Sequence, residues 1–129
     1  MISVDTNIIV RLLTKDDQPQ YKKAFSLFKK ENIYISTTVV LETEWVLRYA
    51  YNFTSSDIIS AFKSLFGLPN VELEDTIEIA RALEWNEQGM DFADALHLAK
   101  SKGTDKFITF DKKLISKAKK LTDIPTGLP

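Results

Sequence analysis

Short apolar runs alternate with helix-length amphipathic segments along the whole of this 129-residue chain. Residues 1–4, 33–36, 71–73 and 106–110 are rich in strand-forming side chains and too short for helices. The segments between them carry apolar residues at helical spacing. Strands separated by helices make parallel pairs, because a parallel pair needs a long crossover and a helix supplies it. The expectation is therefore an α/β fold with a mainly parallel sheet covered by helices on both faces. The opening stretch, MISVDTNIIV, shows what such a fold can do. Its apolar run stops at Asp5, the polar pair Thr6-Asn7 follows, and Ile8, Ile9, Val10, Leu12 and Leu13 begin a helix. A carboxylate is thus delivered to the C-terminal end of a strand, where open α/β sheets bind their ligands.

The size suits one globular domain over residues 1–129, large enough to fold without disulfide or structural metal. The chain has no cysteine, which excludes disulfides, thiolate metal sites and cysteine nucleophiles, and a single histidine excludes an imidazole-rich centre. With 17 basic and 18 acidic residues, the balance is not that of a protein holding nucleic acid by net charge alone. No signal-peptide pattern stands at the N-terminus and no apolar run approaches membrane-spanning length, so a cytoplasmic protein without membrane contact is expected.

In order, the expected elements are a helix after Asp5, then one over 19–31 with Tyr21, Ala24, Phe25 and Phe28 on its inner face. A third helix, capped by Thr37 or Thr38, runs to about Tyr51, and a fourth over 57–66 is capped by Ser55 or Ser56. Residues 75–88 form a fifth with Ile77, Ala80 and Leu83 inward, ended by Gly89 as a C′ glycine. A sixth spans 91–102, a seventh 111–120, and residues 123–125 form a possible edge strand.

Acidic residues stand where these elements meet. Asp5 and Asp111 each end a strand and begin a helix, and either can be an N-cap or a metal ligand. Asp91 is a natural cap, and Asp94 three residues later gives something like a capping box, although two carboxylates on one first turn repel each other. Glu42 shares its helix face with Trp45, Val46 and Tyr49, so it is expected on an apolar stripe, where a carboxylate is costly unless paired or bound to a cation. Glu44, with Arg48 four residues on, is expected to be an ordinary solvated pair. A cluster of carboxylates without thiolate or imidazole would be an all-oxygen site suited to Mg²⁺ or Mn²⁺.

The segments DTNIIVRLL, VVLETEWVLRYAY, DFADALHLAK and FITFDKKL, in this order, resemble the PIN domain, and more narrowly the VapC-type ribonuclease toxins of toxin–antitoxin pairs. The resemblance covers essentially the whole chain. It implies a PIN-like three-layer α/β/α sandwich with a parallel sheet of about five strands and acids at the strand C-termini. Carried over, the site acids are Asp5, Glu42, Asp94 and Asp111, with Asp91 auxiliary or merely a cap and Asn7 and Thr109 in support. No motif acid is replaced.

The expected chemistry is metal-assisted hydrolysis of RNA phosphodiesters, with Mg²⁺ or Mn²⁺ as cofactor. Arg11, Lys15, Lys112 and Lys113, with Lys117, Lys119 and Lys120 beyond them, could contact RNA at the rim or simply be solvated helix surface. His97 has two readings, a general base or a packing and hydrogen-bonding residue. Trp45, Phe62 and Phe66 could stack bases, although core or interface packing explains them as well. The resemblance also implies a cognate VapB-like antitoxin and homodimers or toxin–antitoxin hetero-oligomers. The aromatic residues of the third and fourth helices, Tyr51 and Phe53 among them, suit such a face. Two alternatives stay open: a non-catalytic binding module on the same fold, and a Mg²⁺-dependent phosphoryl-transfer enzyme. Against the latter, Asn7 stands where a phosphatase of the Asp-x-Asp type needs its second aspartate.

Overall fold

The computed structural model describes residues 1–129 and divides into two compact units, residues 1–76 and 77–129. In the first unit β1 (Ile2–Ser3) is followed by α1 (Thr6–Thr14) and α2 (Gln18–Lys30), then β2 (Ile33–Ile35). The helices α3 (Thr37–Ala50) and α4 (Ser55–Phe66) lead to β3 (Val71–Leu73). The three strands pair in the order β1-β2-β3, all parallel, with Ile2 opposite Ile33 and Ile33 opposite Val71. Each parallel step is bridged by two helices, which is the crossover such pairing requires. The central strand is the most shielded: Ile33 and Ile35 are fully buried, with Val4, Ile9, Val10, Val40, Leu47 and Phe62 around them in the core of this unit.

The second unit contains α5 (Thr76–Glu87), whose first residue belongs to the preceding unit, α6 (Phe92–Lys100), β4 (Phe107–Ile108), α7 (Lys112–Leu121) and β5 (Thr126–Gly127). Its two strands are also parallel, Phe107 opposite Thr126 and Ile108 opposite Gly127, with α7 as the crossover. Ile79, Ala82, Leu83, Met90, Phe92, Ala95, Leu98 and Leu114 are buried here. The α/β class and the parallel strands are as expected. The pairing differs from one continuous ladder: five short strands hydrogen-bond as a set of three and a set of two.

Several boundaries move for local reasons. Ser36, not Thr37 or Thr38, caps α3, accepting from the Val39 amide at 3.4 Å. Thr37 is buried inside the first turn, its N–H donating to Glu74 Oε1 at 2.9 Å and its hydroxyl to Asp75. Thr54 caps α4 in a reciprocal capping box with Asp57, displacing Ser55 and Ser56 into the helix. The last strand falls at Thr126–Gly127, after Pro125 rather than across it, because proline has no N–H to give to a ladder. Gly89 does turn the chain with φ at +105°, a conformation open to glycine, and delivers it to α6.

Three helices turn inward a face other than the one expected. On α2 the buried residues are Ala24 and Phe28, while Phe25 is exposed. On α5 the inner face is Ile79, Ala82, Leu83 and Trp85; Ile77 and Ala80 face solvent. The largest correction concerns α3. Its inner face is Thr37, Val40, Thr43, Glu44 and Leu47, which puts Glu42 outside and Glu44 inside at 3% exposure. Trp45 and Tyr49 are 57% and 60% exposed, so the stripe they form with Glu42 is a surface stripe. Glu44 is the buried carboxylate, held by Arg48 Nε at 2.9 Å, and not a solvated pair.

Candidate functional site

In the first unit Asp5 follows β1 and caps α1. Its Oδ1 accepts from the Ile8 amide at 3.2 Å, and its side chain remains exposed. The next residue, Thr6, is buried, and its hydroxyl donates to Glu42 Oε1. Asp5 and Glu42, far apart in sequence, are therefore tied through adjacent residues of α1 and a single hydroxyl from the start of that helix. Glu42 is a site candidate on this geometry rather than on burial. Thr6 is the residue that pattern reading passed over. Its signal was faint: a hydroxyl in the first turn after the first acid, in a stretch whose other side chains are apolar or already assigned. Asn7 lies exposed one position further on.

The two cations expected on this unit's rim are partly committed elsewhere. Arg11 donates through Nε to Gln20 at 2.7 Å and through Nη1 to Asp16 and the Tyr51 hydroxyl, each at 3.0 Å. The Tyr51 hydroxyl also donates to Asp16 at 2.6 Å. Hydrogen bonding from Tyr51, then from Thr14, holds the Asp16 carboxyl below its usual range, with the Arg11 charge acting the same way. Lys15 ends α1 in the left-handed conformation with φ at 57°, and its ammonium lies 5.3 Å from the centre of the Tyr21 ring.

In the second unit three carboxylates share one neighbourhood. Asp91 caps α6, its Oδ2 accepting from the Asp94 amide at 3.2 Å. Asp111 caps α7 through Oδ1, which accepts from the amides of Lys113 and Leu114, each at 3.0 Å. Thr109 supports this corner: its hydroxyl oxygen accepts from the Asp111 amide at 3.0 Å. Asp94 carries the strain. Burial first, and then the negative charges of Asp91 and Asp111, push its carboxyl above the usual range, opposed by His97 and Lys117. None of these influences is a hydrogen bond to the carboxylate. Lys117 is itself fixed, donating from Nζ to the Gly89 carbonyl at 2.7 Å. His97 is exposed on α6.

Asp5, Asp91 and Asp111 thus each cap a helix. The donors are all oxygen, a set chemically fitted to a hard divalent ion such as Mg²⁺ or Mn²⁺. In neither unit do three such side chains stand close enough to enclose an ion by themselves.

Of the aromatic residues considered as stacking platforms, Phe62 is fully buried and stacks on Phe66 at 4.9 Å, so it belongs to the core. Trp45 and Tyr49 contact each other at 5.3 Å on the outside of α3.

Parallel strands joined by helices, with acids capping the helices that follow strand ends, define an α/β protein of the strand-end carboxylate type. The PIN domain model matches residues 2–120, and the chain belongs to the PIN domain family. Comparison with curated proteins and with solved structures gave no significant match. Family membership points to nuclease activity in general, of a kind that uses divalent metal ions. No helix is long and apolar enough to cross a membrane.

Proposed function

We propose that this chain is a metal-dependent endoribonuclease, the toxin component of a toxin–antitoxin pair, whose action on RNA inhibits translation. Asp5, Glu42, Asp94 and Asp111 would hold Mg²⁺ or Mn²⁺, with Asp91 auxiliary. The observation that carries this reading is the PIN domain match over residues 2–120, within which the Thr6 hydroxyl meets Glu42 and the Asp111 carboxylate is held by the Lys113 and Leu114 amides. The Asp94 carboxyl, pushed up by burial and by Asp91 and Asp111, is in keeping with it. Like charges gathered at such a cost call for a cation. The chemistry a divalent ion supplies is activation of water and neutralisation of charge at the scissile phosphate.

The chain's own residues prepare that chemistry. The Thr6 hydroxyl orients the Glu42 carboxylate, and the Ile8 amide fixes one oxygen of Asp5. The Lys113 and Leu114 amides fix one oxygen of Asp111. Outer hydrogen bonds of this kind set ligand direction. Lys112 and Lys113, exposed beside Asp111, are the rim cations best available to RNA phosphates, since Arg11 and Lys15 already have partners. The toxin reading brings with it a cognate VapB-like antitoxin and homodimers or hetero-oligomers. The exposed Trp45 and Tyr49 on α3 support a partner surface.

The test is cleavage of RNA by purified protein with Mg²⁺ or Mn²⁺. Activity should disappear with EDTA and in Asp5→Asn. Cleavage that survives in Asp5→Asn, Glu42→Gln and Asp94→Asn alike would overturn the assignment.

A further inference from the structure

Phe110 is the most exposed large apolar side chain of the protein, at 83%, above even the N-terminal Met1. It stands between Thr109, whose hydroxyl accepts from the Asp111 amide, and Asp111 itself, which caps α7. It therefore sits at a corner whose backbone is held by side-chain hydrogen bonds from the residues on either side. Its ring takes no part in the ring–ring or cation–ring contacts made by Tyr21, Phe25, Trp45, Tyr49, Phe62 and Phe66. An apolar ring of this size left in water forgoes roughly 2 kcal/mol of burial. Lys112 and Lys113 follow directly and are exposed, with their backbone locked by the Asp111 cap. The order along the chain is thus a bare aromatic face, a site acid and two cations.

We propose that Phe110 is a nucleobase-stacking residue, holding a base of single-stranded RNA next to the phosphate handled at Asp111. This inference rests on the nuclease reading given above. An aromatic face beside cations is the combination that binds single-stranded nucleic acid, because every base offers a π-face and every link a phosphate. The hydrogen-bonded backbone after Phe110 fixes where its Cα stands relative to Asp111. Duplex RNA, whose bases are already stacked, cannot use it. The exposed apolar neighbours are Ile108 on the same strand and Leu128, which follows the Gly127 paired with Ile108, and neither offers a flat π-face. Ile108 is 48% exposed two residues earlier, and beyond Asp111 the next side chains are lysines. Stacking of this kind is also indifferent to base identity, so Phe110 would select single strands without selecting sequence.

The experiment uses the full chain with Mn²⁺ and mixed-sequence single-stranded RNA, with KM and kcat measured separately. Binding is measured in the Asp5→Asn background, so that the RNA stays intact. Phe110→Ala should raise KM and weaken binding roughly 5- to 150-fold, leaving kcat within about threefold, and Phe110→Trp should restore both. An RNA carrying abasic sites throughout should bind the parent and Phe110→Ala equally. Thermal stability should move little, since the residue is 83% exposed. Unchanged KM and binding in Phe110→Ala would overturn stacking while active cleavage by the parent upheld the nuclease reading. RNA binding that depends on Phe110 in a parent that cleaves nothing would do the reverse. A loss that is the same on abasic RNA, or a Phe110→Ala chain that changes only its oligomeric state in light scattering, would assign the ring to another role and overturn the proposal.

Discussion

The two units treat their acids differently. In the first, the Glu42 carboxylate is met by a hydroxyl from Thr6, and Asp16 on the far end of α1 is met by Tyr51, Thr14 and Arg11. In the second, Asp91 and Asp111 receive backbone amides, but Asp94 receives burial and two like charges. Neighbouring donors stabilise a charge, whereas neighbouring acids store a penalty that only a proton or a cation removes. On the proposed reading, Asp94 is the carboxylate that awaits a cation. A polar network such as Arg11–Asp16–Tyr51 stabilises a corner of the fold. Asparagine at position 94 would carry no charge for burial and the neighbouring acids to oppose.

The largest effect should follow from Asp94→Asn. RNA cleavage should fall by more than about 100-fold, beyond what loss of an outer partner costs. At the same time the metal-free protein should melt at a higher temperature than the parent at neutral pH. A drop in both would mean that Asp94 is structural, and the contrast would be broken. Next comes Thr6→Val, which removes the hydroxyl on Glu42 and keeps the shape. A loss of about 10- to 100-fold in cleavage or metal affinity is expected, with wild-type-like circular dichroism.

Stability should show the corrected orientation of α3. Arg48→Met deprives the buried Glu44 of its ion-pair partner and should cost about 3 kcal/mol in denaturant unfolding. Glu42→Gln, on the exposed face, should stay within about 0.5 kcal/mol. Equal effects would return Glu42 to the interior.

The smallest effect concerns pH. The raised Asp94 carboxyl favours the folded state when protonated, so its contribution is fully present below the unfolded carboxylate pKa and is lost as pH rises through the folded value. Asp16 has the opposite sign: its contribution is present above the unfolded value and is lost as pH falls through its lowered folded value. Melting curves of metal-free protein between acid and neutral pH should therefore lose their acid-side decline partly in Tyr51→Phe and their neutral-side decline partly in Asp94→Asn.

How much of this was legible in the sequence depends on how local the deciding physics is. Asp5, Asp91 and Asp111 were readable as caps because a cap needs only the next few amides, and all three do cap helices. The strand at 71–73 was readable because its apolar residues and flanking breakers are contiguous. Ser36 was missed as the α3 cap because Thr37 is drawn to Glu74 and Asp75, acids distant in sequence. The face of α3 was misread for a related reason. Trp45 and Tyr49 form the more conspicuous stripe, but they shield each other at the surface. The true inner stripe hides Thr43 and Glu44 among Val40 and Leu47. Helical period shows that a face exists; tertiary packing decides which one turns inward. Glu42 lacks the burial its spacing implies, and its tie to Thr6 is a long-range contact that no spacing rule contains.

Metal dependence is tested by the affinity of metal-free protein for Mn²⁺, titrated by calorimetry in the parent chain, Asp5→Asn and Asp94→Asn. Binding by the parent and its loss in both variants are expected. Mn²⁺ bound by Asp94→Asn as tightly as by the parent would contradict the metal assignment.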